Sequence, residues 1–322
     1  MSKPAVCLDL EPDLVAAATG EAGAAAAERV ASHVERCGSC RDDFARYRAI
    51  DGEVAAVRSH LLAEPHVRLA RAELEARLAD LRSRLVAYQV FPSPFGNLLI
   101  ARSEQGILMV EFLGRSQRPD AYAARRLAGF ELVEGSGEIE RFGRELGEYL
   151  AGRRRRLDWP LDLRLARSDF HREVLRRTAA IPYGAVASYS GIAHDVGRPR
   201  AVRAAAQALR WNPIPLVIPC HRVIGSSGLL TGYAGGTTEK KQRLLEVEGV
   251  PMSRARGDFR VQRDHMYVLA PGDREYCLPS CASSDSFPRG GLLFGSRDRC
   301  EAIGLEPCTS CRPDLHPLAA AD

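Results

Sequence analysis

A chain of 322 residues is longer than one average domain, so roughly two to four folded units joined by linkers are expected rather than one continuous core. With 45% hydrophobic and 27% charged residues the composition excludes wholesale disorder, and a net charge of +4 permits nucleic-acid binding without requiring it. The run from Met1 to Leu10 lacks a basic-then-apolar secretory pattern and no stretch is apolar enough to span a bilayer, so a cytoplasmic protein with no membrane partner is expected. In a reducing cytosol its nine cysteines read as metal ligands or reactive thiols, not as a disulfide frame.

The Ala-rich run from Glu21 to Arg36, with Val30 and Val34 at helical spacing, predicts a helix that delivers His33 and Cys37 on one face. Together with Cys7 and Cys40 these make C-x25-H-x3-C-x2-C, a spacing that can supply four tetrahedral zinc ligands. Beyond Pro65, Leu74, Leu78, Leu81 and Leu85 recur at a 4-3-4 spacing, which predicts an amphipathic helix. It reads as a linker packed on its neighbour, with a self-associating coiled coil as the alternative.

At Val86 the pattern changes to strands: Val86 to Phe91, Asn97 to Ala101 and Ile107 to Phe112, with Glu104-Gln105-Gly106 as a hairpin turn. Helices follow at about Ile139 to Ala151, Phe170 to Ala180, Ser188 to Val196 and Pro199 to Arg210. The last two, joined by a short Gly-containing turn, could form a helix-turn-helix whose second helix carries Arg203 and Arg210 toward nucleic acid. After it, Pro213, Pro215 and Pro219 fix φ and remove backbone donors, so Cys220 is expected on a rigid extended strand. Its apolar neighbours should raise the thiol pKa, while the adjacent His221 can take the proton and supply a reactive thiolate.

The run Ile218-Pro219-Cys220-His221-Arg222-Val223 resembles the signature of the O6-alkylguanine-DNA alkyltransferases. It comes with Asn212-Pro213, Gly232-Tyr233-Ala234-Gly235-Gly236, Ile181-Pro182-Tyr183-Gly184, Ser188-Tyr189 and Leu244-Leu245-Glu246-Val247-Glu248-Gly249, in order over about residues 86 to 250. The resemblance implies that Cys220 accepts the alkyl group of O6-alkylguanine, and of O4-alkylthymine, in double-stranded DNA, once per molecule and with no cofactor. It implies further that His221, through a water oriented by Glu248, withdraws the thiol proton, and that Asn212 braces the turn before the cysteine. Arg203 would fill the gap left by the extruded nucleotide, Tyr189 would crowd the phosphate, Arg222 would join the DNA contacts, and Tyr233-Ala234 would close the pocket on the base.

Toward the end, Cys277-x3-Cys281-x26-Cys308-x2-Cys311 is a second four-thiolate set, with Cys300 left over. About residues 264 to 316 resemble the zinc domain of the Ada adaptive-response protein, which implies Cys277 as a second acceptor, taking methyl from a phosphotriester. Leu278, Ala282, Ser283 and Ser284 stand where that family carries phosphate-holding arginines, so a structural or sensory zinc module is the alternative. The N-terminal cluster resembles the zinc-binding anti-sigma fold, which implies a sigma factor as partner and an alkylation-sensing regulator as the rival function.

The fold expected is α+β: a helical zinc module over 1–60, a helical linker over 61–85, a small three-stranded sheet subdomain over 86–165, a winged-helix-like catalytic DNA-binding subdomain over 166–255 and a zinc module over 256–322. Two structural zinc ions are expected. Because such modules are too small to hold together by apolar burial alone, chelation is expected to unfold them while the central chemistry survives.

Overall fold

The structure, a computed structural model, describes residues 3–318 except 64, 115–116, 136, 234–237, 256–257 and 282–289. The chain forms two compact units, Met1–Asp80 and Leu81–Asp322.

The first unit is helical: α1 (Ala5–Asp9), α2 (Glu11–Ala18), α3 (Ala24–Arg36), α4 (Gly38–Ala63) and the start of α5 (Pro65–Arg84). A run of alanines favours α3, and its helix stops at Cys37, whose φ of −117° and ψ of 108° are extended. That single-residue break sets Cys37 and Cys40 beside His33. Leu14, Val30, Cys7 and Cys40 form a small core with Val34, Phe44 and Tyr47 against it. Leu74, Leu78 and Leu81 on the leucine stripe of α5 are exposed.

The second unit opens with β1 (Leu85–Phe91), β2 (Leu98–Ser103) and β3 (Gly106–Phe112), antiparallel neighbours in sequence. After α6 (Pro119–Arg126), a fourth strand, β4 (Glu131–Glu134), joins parallel to β1 and completes the order β3-β2-β1-β4. Gly106, at φ +145°, is required at the hairpin because a Cβ there would lie 2.3 Å from the Pro160 carbonyl oxygen. Helix α7 (Gly137–Leu150) buries Ile139, Phe142, Leu146, Tyr149 and Leu150, a 3-4-3-1 stripe of the kind that covers a sheet.

Next come α8 (Asp169–Ala179), β5 (Ala185–Ser188), α9 (Tyr189–Asp195) and α10 (Val202–Arg210). Ser188 caps α9 by accepting from the Gly191 N–H at 2.9 Å, and Gly197, at φ +69°, turns the chain toward α10. A 3-10 turn (Cys220–Arg222), β6 (Val223–Ile224), α11 (Glu239–Val247), the hairpin β7 (Met252–Ala255) and β8 (Asp258–Val261), then β9 (Tyr267–Leu269), β10 (Glu275–Cys277), β11 (Leu292–Phe294), α12 (Arg297–Glu301) and β12 (Glu306–Pro307) complete the order.

The C-terminal segment is not free-standing. β11 pairs antiparallel with β5, which pairs parallel with β6, so one sheet of order β12-β10-β9-β11-β5-β6 joins Cys277 to the strand that follows Cys220. Tyr267, Tyr276, Phe294 and Cys300 share a hydrophobic core with Ile139, Val174 and Cys220 itself. The expectation that the C-terminal cysteines fold independently of the central chemistry is corrected by this shared sheet and core. None of the described helices is long and apolar enough to cross a membrane.

Candidate active site

The loop before Cys220 is tight, with Leu216 at φ +75°, a conformation that costs a branched side chain energy and persists only when its surroundings enforce it. Asn212 does part of that. Its Oδ1 accepts from the Ile214 N–H at 3.0 Å, and its Nδ2 donates to the Ile218 carbonyl at 2.8 Å and to Cys220 Sγ at 3.1 Å. Cys220 does not lie on an extended strand, as expected from the prolines; it opens the 3-10 turn. Pro219 lacks a donor but keeps its carbonyl, and that carbonyl accepts the Arg222 N–H at 2.9 Å to close the turn.

Behind the thiol lies a closed network. His221 Nε2 is 2.7 Å from Glu248 Oε1, and both side chains are fully buried. Arg222 grips the same carboxylate through Nε (2.8 Å) and Nη2 (3.0 Å), while Tyr149 donates its hydroxyl to Oε1 at 2.5 Å. Burial alone would raise the Glu248 pKa, but the Arg222 charge and then His221 hold it well below the usual carboxylate range. Burial lowers the His221 pKa, only partly offset by Glu248, so the imidazole is neutral. An ionised carboxylate fixes Nε2 as the protonated nitrogen and leaves the Nδ1 lone pair basic; Nδ1 has no hydrogen-bond partner among the described residues. Burial raises the Cys220 pKa, opposed by Asn212 and then by the Lys241 ammonium.

Arg222 was expected at the DNA. It is only 6% exposed and donates to Glu248, the Tyr149 hydroxyl and the Ile181 carbonyl. It braces the carboxylate instead, because an unpaired buried Glu248 would be costly. Sequence reading also missed Tyr149 and Lys241. Lys241 is buried with Nζ 2.5 Å from the Val223 carbonyl, and burial lowers its pKa to about 8. The signal was present: residues 241, 244, 245 and 248 share one face of α11, so a lysine there is aimed at the core.

Cys220 opens on a cavity of about 550 Å³ lined by Tyr189, Arg203, Arg210, Thr231 and Tyr233. Arg203 is exposed on α10, and Tyr233 is buried edge-on to His221 with a hydroxyl that has no partner among the described residues. The Tyr189 hydroxyl accepts from Thr231 Oγ1 at 2.8 Å. Ala234 lies outside the described residues.

Both sulfur-rich sets come together. The ligand atoms of Cys7, His33, Cys37 and Cys40, and those of Cys277, Cys281, Cys308 and Cys311, lie within 4.8 Å of one another in each set. Cys7 Sγ is 3.6 Å from His33 Nε2 and 3.9 Å from Cys37 Sγ, near the ~3.8 Å edge of a tetrahedron with 2.3 Å metal–sulfur bonds. The sets therefore fit a metal ion. Cys300 is no ligand: it is a fully buried core residue whose thiol donates to the Ser296 carbonyl.

A thiol backed by an imidazole and an ionised carboxylate, opening on a cavity beside the helix pair α9 and α10, is an arrangement suited to accepting a transferred group. Residues 86–163 match the 6-O-methylguanine DNA methyltransferase ribonuclease-like domain and residues 169–250 its DNA binding domain. The inducible methylated-DNA–protein-cysteine methyltransferase of Bacillus subtilis is 38% identical over 156 residues, covering 47% of this chain and 84% of that protein. The methylated-DNA–protein-cysteine methyltransferase of Mycolicibacterium paratuberculosis is 39% identical over 165 residues, with 51% and 93% covered. A crystal structure of the Mycobacterium tuberculosis O6-methylguanine methyltransferase shares 36% identity and a TM-score of 0.44 over 51% of this chain and 92% of that one. The chain belongs to the methylated-DNA–protein-cysteine methyltransferase family.

Proposed function

We infer that this protein repairs DNA by moving the alkyl group of O6-alkylguanine onto Cys220, irreversibly and once per molecule. The observation that carries the reading is the part-buried Asn212–Cys220 contact with the buried His221–Glu248–Arg222 arrangement, beside a cavity that Arg203 also lines. The alkylated oxygen is paired inside the duplex, so the base must be turned out first, at a cost of a few kcal/mol that is lower for a weakened lesion pair. Arg203, exposed beside the cavity, would fill the gap, and Tyr189, on the same cavity wall, would stand against the backbone. The Tyr233 hydroxyl is the buried group free to hydrogen-bond the base.

The His221 Nδ1 lone pair takes the Cys220 proton by way of a bridging water, the relay that the family resemblance implies. Glu248 stabilises the imidazolium so formed, and the Asn212 amide holds the thiolate. Sulfur then attacks the alkyl carbon: the S–C bond forms, the C–O6 bond breaks with its electron pair left on the guanine, and the guanine takes up a proton. The thioether has no hydrolysis route, which makes the protein the co-substrate. O4-alkylthymine presents the same alkyl–oxygen bond to the same sulfur.

In both cysteine sets the soft donors suit zinc, held by Cys7, His33, Cys37 and Cys40 and by Cys277, Cys281, Cys308 and Cys311; neither set supplies a reacting group to the transfer at Cys220. A bound zinc would hold the sulfurs as thiolates.

Intact-mass measurement after incubation with duplex DNA containing O6-methylguanine tests the reading. One added methyl located on Cys220, absent in Cys220→Ser although that variant still binds the lesion, is the expected result. A folded, reduced protein that gains no mass would overturn it.

A further inference from the structure

A second cavity, of about 440 Å³, shares Arg222 and Tyr149 with the network behind Cys220 but does not reach the sulfur. Its walls come from the irregular segment 155–158 after α7, the Ile181–Tyr183 turn, the Leu216–Val217 loop, and α12 with the two residues that follow it. Ile181, Pro182, Leu216, Val217 and Ile303 make one side apolar. Four arginines also line it, and they are not equally satisfied. Arg222 is paired with Glu248 and Arg156 with Asp158, whereas Arg155 and Arg299 have no carboxylate within ion-pair distance among the described residues.

Arg299 is the informative member. Its guanidinium lies 4.6 Å from the centre of the Tyr183 ring, and its Nη1 is buried with no hydrogen-bond partner among the described residues. Burial, and next the Arg155 charge, weaken its hold on its proton. Arg155 adds an exposed cation without a carboxylate partner beside this one buried donor, and an unmet buried donor and a nearby like charge both oppose folding. An anion between the two guanidiniums removes both penalties. Two cations call for about two negative charges, which a phosphate monoester carries near neutral pH and a single carboxylate does not. The apolar side gives such a phosphate a body to carry, in a cavity of ordinary small-molecule size.

The geometry points to a binding site for a small phosphorylated organic molecule, its phosphate held by Arg299 and Arg155 and its flat apolar body against Ile181, Pro182 and Val217. Because Arg299 and Ile303 belong to the C-terminal segment, the ligand would tie that segment to the catalytic unit at a place separate from the alkyl-accepting cavity.

Isothermal titration of the full chain with adenosine 5′-monophosphate tests this, with adenosine and inorganic phosphate as the arms that separate body from anion. Saturable one-to-one binding is expected, weaker for either fragment alone, and reduced about tenfold or more by Arg299→Gln and by Arg155→Gln. Arg155 is exposed, so its variant folds as the parent does. Alkyl transfer from O6-alkylguanine free base to Cys220 should be unchanged in both variants, which separates the site from the guanine cavity. No saturable binding of the nucleotide, or equal affinity in the parent and both variants, would overturn the assignment; phosphate binding as tight as the nucleotide would remove the apolar body from it.

Discussion

Glu248 is the residue on which the site turns, because it answers His221, Arg222, Tyr149 and the Gly184 N–H at once. Glu248→Gln leaves the Arg222 charge buried and uncompensated, and truncations of this kind cost about 3–5 kcal/mol. Denaturant titration should read that loss, and a change below about 1 kcal/mol would show that the network contributes little. The pH dependence follows from the same residues. His221 titrates lower in the folded protein than in the unfolded chain, so between the two values the unfolded state binds more protons, and stability falls as pH drops below about 6.5. The Glu248 contribution, from a depressed pKa, is present above the ordinary carboxylate range and is lost as pH falls through the folded value. Both terms have the same sign. Denaturation midpoints should therefore decline from about pH 7.5 to about pH 5, with a shallower slope in His221→Gln; equal slopes would remove His221 from the account.

At the scale of elements, the proposed DNA contact rests on how α10 divides its faces. The helix buries Ala205, Ala208 and Leu209 on one face and leaves Arg203 exposed on the rim of the Cys220 cavity. Small buried residues let it pack close to α8 and α9 while long basic ones point outward. Arg203→Ala should slow transfer from duplex DNA by about tenfold or more and leave transfer from the free base within about twofold, since only the duplex has a gap to fill. Rapid-quench measurement on the two substrates checks this, and equal losses would mean that the helix positions the thiol and not the DNA.

The whole molecule treats its two cysteine clusters differently. The N-terminal set belongs to a compact unit of its own, whereas Cys277 ends a strand in the sheet that contains β5 and β6, and Cys308 donates its N–H to the Tyr276 carbonyl at the same edge. Zinc would supply folding free energy to both. Cys7→Ser should lower the bound metal from two ions to one and leave Cys220 transfer unchanged. Cys308→Ser should also remove one ion, but lower the melting temperature of the catalytic unit by several degrees and slow transfer with it. Metal analysis, calorimetry and single-turnover rates separate the outcomes; indifference of Cys220 to Cys308→Ser would show that the shared sheet transmits nothing.

What the sequence by itself determined was local and chemical. The Pro219-Cys220-His221-Arg222 run, the spacing of both cysteine sets and the apolar runs of β1 to β3 could be read directly, because each rests on residues close in sequence or on ligand types with few other uses. The strand β4 and the short strands after Tyr267 could not, since two to four residues carry no clear period and become strands only when a partner edge satisfies their backbone groups. The tertiary structure alone decided that Arg222 pairs with Glu248, that Tyr149 and Lys241 come from distant elements to the site, and that the C-terminal segment shares a sheet and core with Cys220. The physical reason is common to all: a buried charge takes whichever partner the packed chain brings within about 3 Å, and that pairing spans sequence separations no local pattern records.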